Sequence, residues 1–183
     1  MITSSSIRES FMQQTKWRVI TGAPCSGKTA VIQKLEQLGN PVVHEVARGY
    51  IDQRLGNGET LAGIKADILS FERHILYKKF EIEKSLPKDK IIYLDRAVPD
   101  SIGYYIHEGL DPAEPIQKSK YWRYEHIFFF ERIPFEQDRV RSEDEKIALK
   151  LEGLLKESYQ MLGYEIIVVP LMSVSQRVDF ILL

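Results

Sequence analysis

Gly22-Ala23-Pro24-Cys25-Ser26-Gly27-Lys28-Thr29 carries the spacing glycine, four residues, Gly-Lys-Thr, and each fixed position has a mechanical use. Gly22 and Gly27 let the backbone turn sharply and bring its N–H groups against phosphate oxygens. The helix expected from Lys28 adds its positive N-terminal end. Lys28 is placed to reach the β- and γ-phosphates, and the Thr29 hydroxyl to hold Mg²⁺. Pro24 stiffens the turn. Cys25 fits better as a small residue filling a tight loop than as a redox switch.

A second set of residues lies at expected strand ends, where open parallel sheets bind ligands. Asp95 closes the apolar run Ile91-Ile92-Tyr93-Leu94, as an acid that holds the magnesium shell or takes a proton from an attacking hydroxyl. Arg96 follows it and suits a phosphate or substrate anion. Asp100 is one helical turn on, and reads equally as a substrate contact or as a helix cap. Glu45 and Arg48, after the second expected strand, share a helical face; they suit acceptor binding or an intrahelical salt bridge. Arg132, Arg139 and Arg141 lie between the fourth strand and the next helix. They read as a lid that brings charge onto a transferring phosphoryl group, or as a solvated loop.

Other chemistries find little support. The histidines (44, 74, 107 and 126) show no metal-ligand spacing, and Cys25 is the single cysteine, so no internal disulfide or thiolate zinc site forms. Tyr104, Tyr105, Tyr121, Trp122 and Tyr124 could stack a base, although core packing is the commoner fate. A net charge of -1 gives no basic field, so nucleic acid is not indicated. No apolar run reaches the roughly 20 residues of a membrane helix, and the Ser-rich start lacks the apolar core of a secretory signal, which makes cytoplasmic the default.

The elements that must position these groups alternate between strand and helix patterns. Trp17 to Thr21 is a strand running into the loop, and Val31, Ile32, Leu35 and Leu38 mark the helix after it, stopped by Gly39. Pro41 to Val46 is a weaker strand, followed by a short helix over 47–55 and a break at Gly56-Asn57-Gly58. Leu61, Ile64, Ile68, Phe71, Ile75 and Ile82 form one stripe and predict a single long helix, with Lys65, Glu72, Lys79 and Glu83 largely off it. His126 to Phe130 and Ile166 to Val169 are further strands. Helix starts fall at Asp111-Pro112, at Ser142 to Glu145 (with Ile147, Leu151, Leu154 and Leu162 on its apolar face) and at Ser173 to Gln176. The chain is expected to be a loose N-terminus over residues 1–15 and one domain over 16–183. That domain is α/β, three layers deep, with about five parallel strands and helices on both faces.

The combination of Gly22 to Thr29, Glu45-Val46-Ala47-Arg48, Asp95-Arg96, Asp100 and Tyr104 resembles the small P-loop ATPase and kinase-like domains of the AAA-28 type. Pro134, Asp138 and Arg139, the Gly163-Tyr164 turn and Ser173 to Val178 fit the same outline. That group is similar to nucleoside and nucleotide kinases, including the ribosylnicotinamide kinase domain of bifunctional NAD-biosynthesis proteins. The resemblance implies kinase strand order, ATP with Mg²⁺, a lid near Arg132 to Arg141, and adenine beside residues 170–174. The leading expectation is an ATP-dependent phosphotransferase acting on a small nucleoside or nucleotide. The alternatives are an ATPase or nucleotide-dependent switch acting on a protein partner, and a module that holds nucleotide without chemistry.

Overall fold

The computed structural model describes residues 13–132 and 142–183, with the backbone alone for residues 142–145. Five strands form one parallel sheet: β2 (Trp17–Thr21), β3 (Val42–Val43), β4 (Ile92–Asp95), β6 (His126–Phe130) and β7 (Ile166–Val169). Their spatial order is β3-β4-β2-β6-β7, so the second and third of these strands along the chain are exchanged, as the resemblance implied. A separate parallel pair joins β1 (Gln13–Gln14) to β5 (Trp122–Arg123). Thr15 extends it, its N–H and hydroxyl both donating to the Arg123 carbonyl.

The apolar strands are readable because successive side chains point to opposite faces, and both faces are covered. Val19, Ile92, Leu94 and Ile127 join a core with Leu76, Ile102 and Tyr159, from α4 (Ile68–Ser85), α5 (Asp100–His107) and α7 (Ser142–Gln160). Ile20, Tyr93, Phe128 and Phe130 face the other way. They pack with Val31, Ile32 and Leu35 of α1 (Lys28–Gln37) and with Val178 and Ile181 of α8 (Val174–Leu182). α8 begins at the expected capping box, with Ser173 and Gln176 bonding reciprocally. The remaining helices are α2 (Val46–Gly56), α3 (Leu61–Ile64) and α6 (Ala113–Lys118).

Several elements differ from expectation. The second strand keeps only Val42 and Val43, because it lies at the sheet edge and Glu45 already begins the turn into α2 as its N-cap. The expected long helix is two. Thr60 caps α3 through the Gly63 N–H, and Asp67 restarts the chain by accepting from the Ser70 N–H and hydroxyl, which breaks the stripe at residues 65–67. Glu72, Lys79 and Glu83 are buried rather than solvated, since α4 is enclosed on a second side by α5. On α7 the inward residues are Leu151, Leu155 and Tyr159, while Ile147 is 51% exposed. Gly103 on α5 explains that rotation. A Cβ there would meet Leu155 Cδ2 at 3.1 Å, so the two helices approach closely at that point. The side chains of the Ser142 cap lie outside the described residues.

Candidate active site

Because all five strands run the same way, the ends of β2, β3 and β4 deliver their following residues to one edge. Gly22 leaves β2 with φ 134, and a Cβ there would stand 2.6 Å from the Phe130 carbonyl oxygen. Only glycine allows the loop to lie against the end of β6. Gly27, at φ 83, turns the chain into α1. Cys25 is exposed at the loop tip, with φ 60. Lys28 is buried; its Nζ donates to the carbonyls of Gly22 (3.1 Å) and Ala23 (2.8 Å) and to Ser26 Oγ (3.0 Å). Burial, then the neighbouring Arg96 charge, pull its pKa down to about 8, against the opposing pull of Asp95 and Glu45. Thr29 is exposed on the first turn of α1.

Asp95 ends β4, is 3% exposed, and its Oδ1 has no partner among the described residues. Burial, with Glu45 adding like charge, pushes its pKa up to about 6. Arg96 adopts φ 67, a conformation that costs a non-glycine residue on the order of 1 kcal/mol and persists only where its surroundings hold it. Here its N–H donates to the Ile20 carbonyl (3.0 Å), and its guanidinium donates to Glu45 Oε1 (2.9 Å) and Asp100 Oδ1 (3.2 Å). The Tyr104 ring lies 5.4 Å from the guanidinium carbon. Asp100 is fully buried and its two oxygens are occupied. They accept from Thr21 Oγ1 (2.5 Å), Tyr159 OH (2.5 Å), Arg96 and the Ala97 N–H (2.9 Å). Asp100 is the first residue of α5, whose N-cap is Pro99, so its carboxylate serves this buried network rather than a cap, and its ion pair with Arg96 is buried.

Glu45 turns toward Arg96, and Arg48 stays exposed, so the intrahelical salt bridge does not form. Arg132 is near Glu152 of α7, at 4.0 Å. Arg139 and Arg141 lie outside the described residues, as do Pro134 and Asp138. Of the aromatics considered for stacking, Tyr105, Trp122 and Tyr124 are core, Tyr121 is half exposed, and Tyr104 alone lines the cavity beside the loop. That cavity, of about 290 Å³, is lined by Pro24, Arg96, Phe71, Tyr104, Glu72 and Lys79 among others.

Two parts of the site had no clear sequence signal. Glu72 and Lys79 share a helical face with the buried Leu76, yet charges at that spacing look like a solvated stripe. Arg177 is 3% exposed and donates to the Ser26 carbonyl at 2.6 Å and the Pro170 carbonyl at 3.3 Å, tying α8 to the phosphate loop. Nothing in its spacing from the loop announces that contact. Among the described residues no cluster of three His, Cys, Asp or Glu side chains forms a metal site, and no helix is long and apolar enough to cross a membrane.

Residues 17–177 match the family model AAA_28, described as an AAA domain. The chain belongs to this family. The AAA_28 chain is also similar to solved kinase structures. Thymidylate kinase from Ehrlichia chaffeensis matches with TM-score 0.63 and 17% identity, over 93% of this chain and 97% of that one. Deoxyadenosine kinase from M. mycoides matches with TM-score 0.60 and 15% identity, over 91% and 96%. NadR matches with TM-score 0.61 and 17% identity, over 84% of this chain but only 43% of its own length. At these identities the likeness establishes the fold, which is that of the P-loop kinases. No curated protein matches.

Proposed function

We propose that this AAA_28 chain is an ATP-dependent kinase whose acceptor is a small nucleoside or nucleotide. The 290 Å³ cavity carries the reading, since Pro24 of the phosphate loop and Arg96 both line it. A second ligand held there would meet the phosphate-binding loop directly, whereas a nucleotide switch needs no such cavity. The neighbours are in keeping with this reading: they are a deoxyadenosine kinase with dCMP and dCDP bound, a thymidylate kinase and NadR in complex with NR.

The residues present fit ATP and Mg²⁺. Lys28 Nζ spends its three donors on the loop's own oxygens, which phosphate oxygens can replace. The unpartnered Asp95 Oδ1 and the exposed Thr29 hydroxyl suit a metal shell. The bound nucleotide supplies the phosphoryl group and the metal neutralises its charge. An acceptor hydroxyl oxygen forms the new bond to the γ-phosphorus as the bond to the β-phosphate oxygen breaks. Its proton passes to a carboxylate, Asp95 or Glu45. Arg96 binds the acceptor side, Asp100 holds Arg96, and the exposed Arg48 of α2 contributes to acceptor binding. Arg132, Arg139 and Arg141 complement the transferring charge. The setting we propose is the cytoplasm.

The test is transfer of a labelled γ-phosphate to a panel of nucleosides and nucleoside monophosphates. Turnover should rise with one acceptor and label should appear on it. Hydrolysis at one rate across the panel, with no labelled product, would replace the kinase reading with the ATPase one.

A further inference from the structure

Beyond Arg96, the acceptor cavity is lined by Lys65, Glu72, Lys79, His107 and Glu108, none of which the transfer chemistry uses. Glu72 of α4 lines it, is 5% exposed, and makes no hydrogen bond or ion pair with any described residue. His107, the last residue of α5, lines the same cavity, and its Nδ1 is buried without a partner among the described residues. Lys79 is nearby, but its Nζ is 3.4 Å from Ser101 Oγ and not within ion-pair distance of Glu72. The Glu72 carboxyl opens onto the cavity rather than being sealed from solvent, so water or a ligand N–H completes its hydrogen bonding there. The walls beside it are flat: Phe71 and Tyr104 line the same space, and such rings stack with planar ligands.

We propose that Glu72 reads the acceptor, which carries a heteroaromatic ring whose amino N–H donates to the Glu72 carboxyl group. The ring lies against Phe71 and Tyr104, and the transferring hydroxyl points toward Arg96 and the phosphate loop. This rests on the kinase reading. It adds that the cavity discriminates at the ring edge, because an acceptor lacking the donor displaces water from that carboxyl without replacing its hydrogen bond.

Two matched pairs test it, adenosine against purine riboside and cytidine against its 4-deamino analogue, each pair differing by one amino group. Binding is measured by calorimetry and transfer by γ-label, on wild type, Glu72→Met and Glu72→Gln. Wild type should prefer the amino-bearing member of at least one pair by about 10-fold to 10³-fold. Glu72→Met should bring that ratio close to one, and Glu72→Gln, which keeps an acceptor oxygen, should retain part of it. A residue that only supports the fold would weaken both members of a pair equally. Equal treatment of both pairs by wild type overturns the proposal, and so does a preference that Glu72→Met leaves intact. If no nucleoside receives label the kinase reading fails, and the ring-edge proposal is then decided by the binding ratios alone.

Discussion

Arg96 Nε donates to Glu45 Oε1 at 2.9 Å, joining two residues 51 positions apart at the ends of neighbouring strands. The other arm of the same guanidinium reaches Asp100, so one fork ties the ends of β3 and β4 to the start of α5. A planar fork does this and an ammonium does not. The pair also explains why Arg96 tolerates φ 67.

If Glu45 serves the acceptor, Glu45→Gln keeps a hydrogen bond to Arg96 but loses the charge. The expected result is a fall of about 10²-fold in kcat/KM for the acceptor, with nucleotide affinity within about twofold of wild type. Acceptor kinetics and titration with a fluorescent ATP analogue read the two effects separately. An equal loss of nucleotide affinity would move Glu45 to the donor side.

Lys28→Ala removes the cation that the loop folds around. Loss of a charged contact to the transferring phosphates should lower turnover by at least about 10²-fold. Turnover with saturating ATP and Mg²⁺ checks this, with circular dichroism to confirm the fold. A variant that turns over like wild type contradicts the role given to the loop.

The phosphate loop and the five strands were legible because each is a local pattern. Gly22 to Thr29 is contiguous, and buried parallel strands are apolar runs ended by a polar residue. The helix break at Asp67 was also local, but the apolar stripe passing over it was the louder signal. Glu72, Lys79 and Arg177 were out of reach for a different reason. Their burial depends on which helix lies against which, and Arg177 meets Ser26 across 151 residues. Glu45 and Arg96 were both singled out, while their pairing needed β3 and β4 to be neighbours.

Activity should follow a bell-shaped pH profile with both limbs moved inward. In the proposed mechanism Asp95 works as a carboxylate, and burial raises its pKa, so the acid limb should lie above the ordinary carboxylate range. Lys28 there works as an ammonium, and burial beside Arg96 lowers its pKa, so the alkaline limb should fall below the ordinary lysine range. The limbs belong to the interacting set rather than to one residue. They are read from kcat/KM, which reports the free enzyme. Asp95→Asn should abolish the acid limb in whatever activity remains. A flat profile from about pH 5 to 9 would contradict both assignments.

Stability should carry its own pH signature from Glu83, which is 3% exposed and accepts from the Val98 N–H (2.9 Å) and Tyr124 OH (2.8 Å). Burial pushes its pKa from 4.5 up to about 7, although both hydrogen bonds and Lys79 pull the other way. Below 4.5 the carboxyl is protonated in folded and unfolded chains alike, and it costs nothing. Between 4.5 and about 7 the unfolded chain releases the proton while the folded one keeps it, so stability falls as pH rises. Above that range both are ionised and the loss is complete, on the order of 3 kcal/mol. Glu72, also raised to about 7, has the same sign, and Asp100, held low, has the opposite one, so wild type alone cannot isolate the effect. Glu83→Gln isolates it, because the amide does not ionise and still accepts from Val98. Urea unfolding at about pH 5 and pH 8 should show the variant gaining on wild type as pH rises. A difference that stays constant between the two would mean that Glu83 is already ionised in the folded protein, held by Tyr124 and Val98.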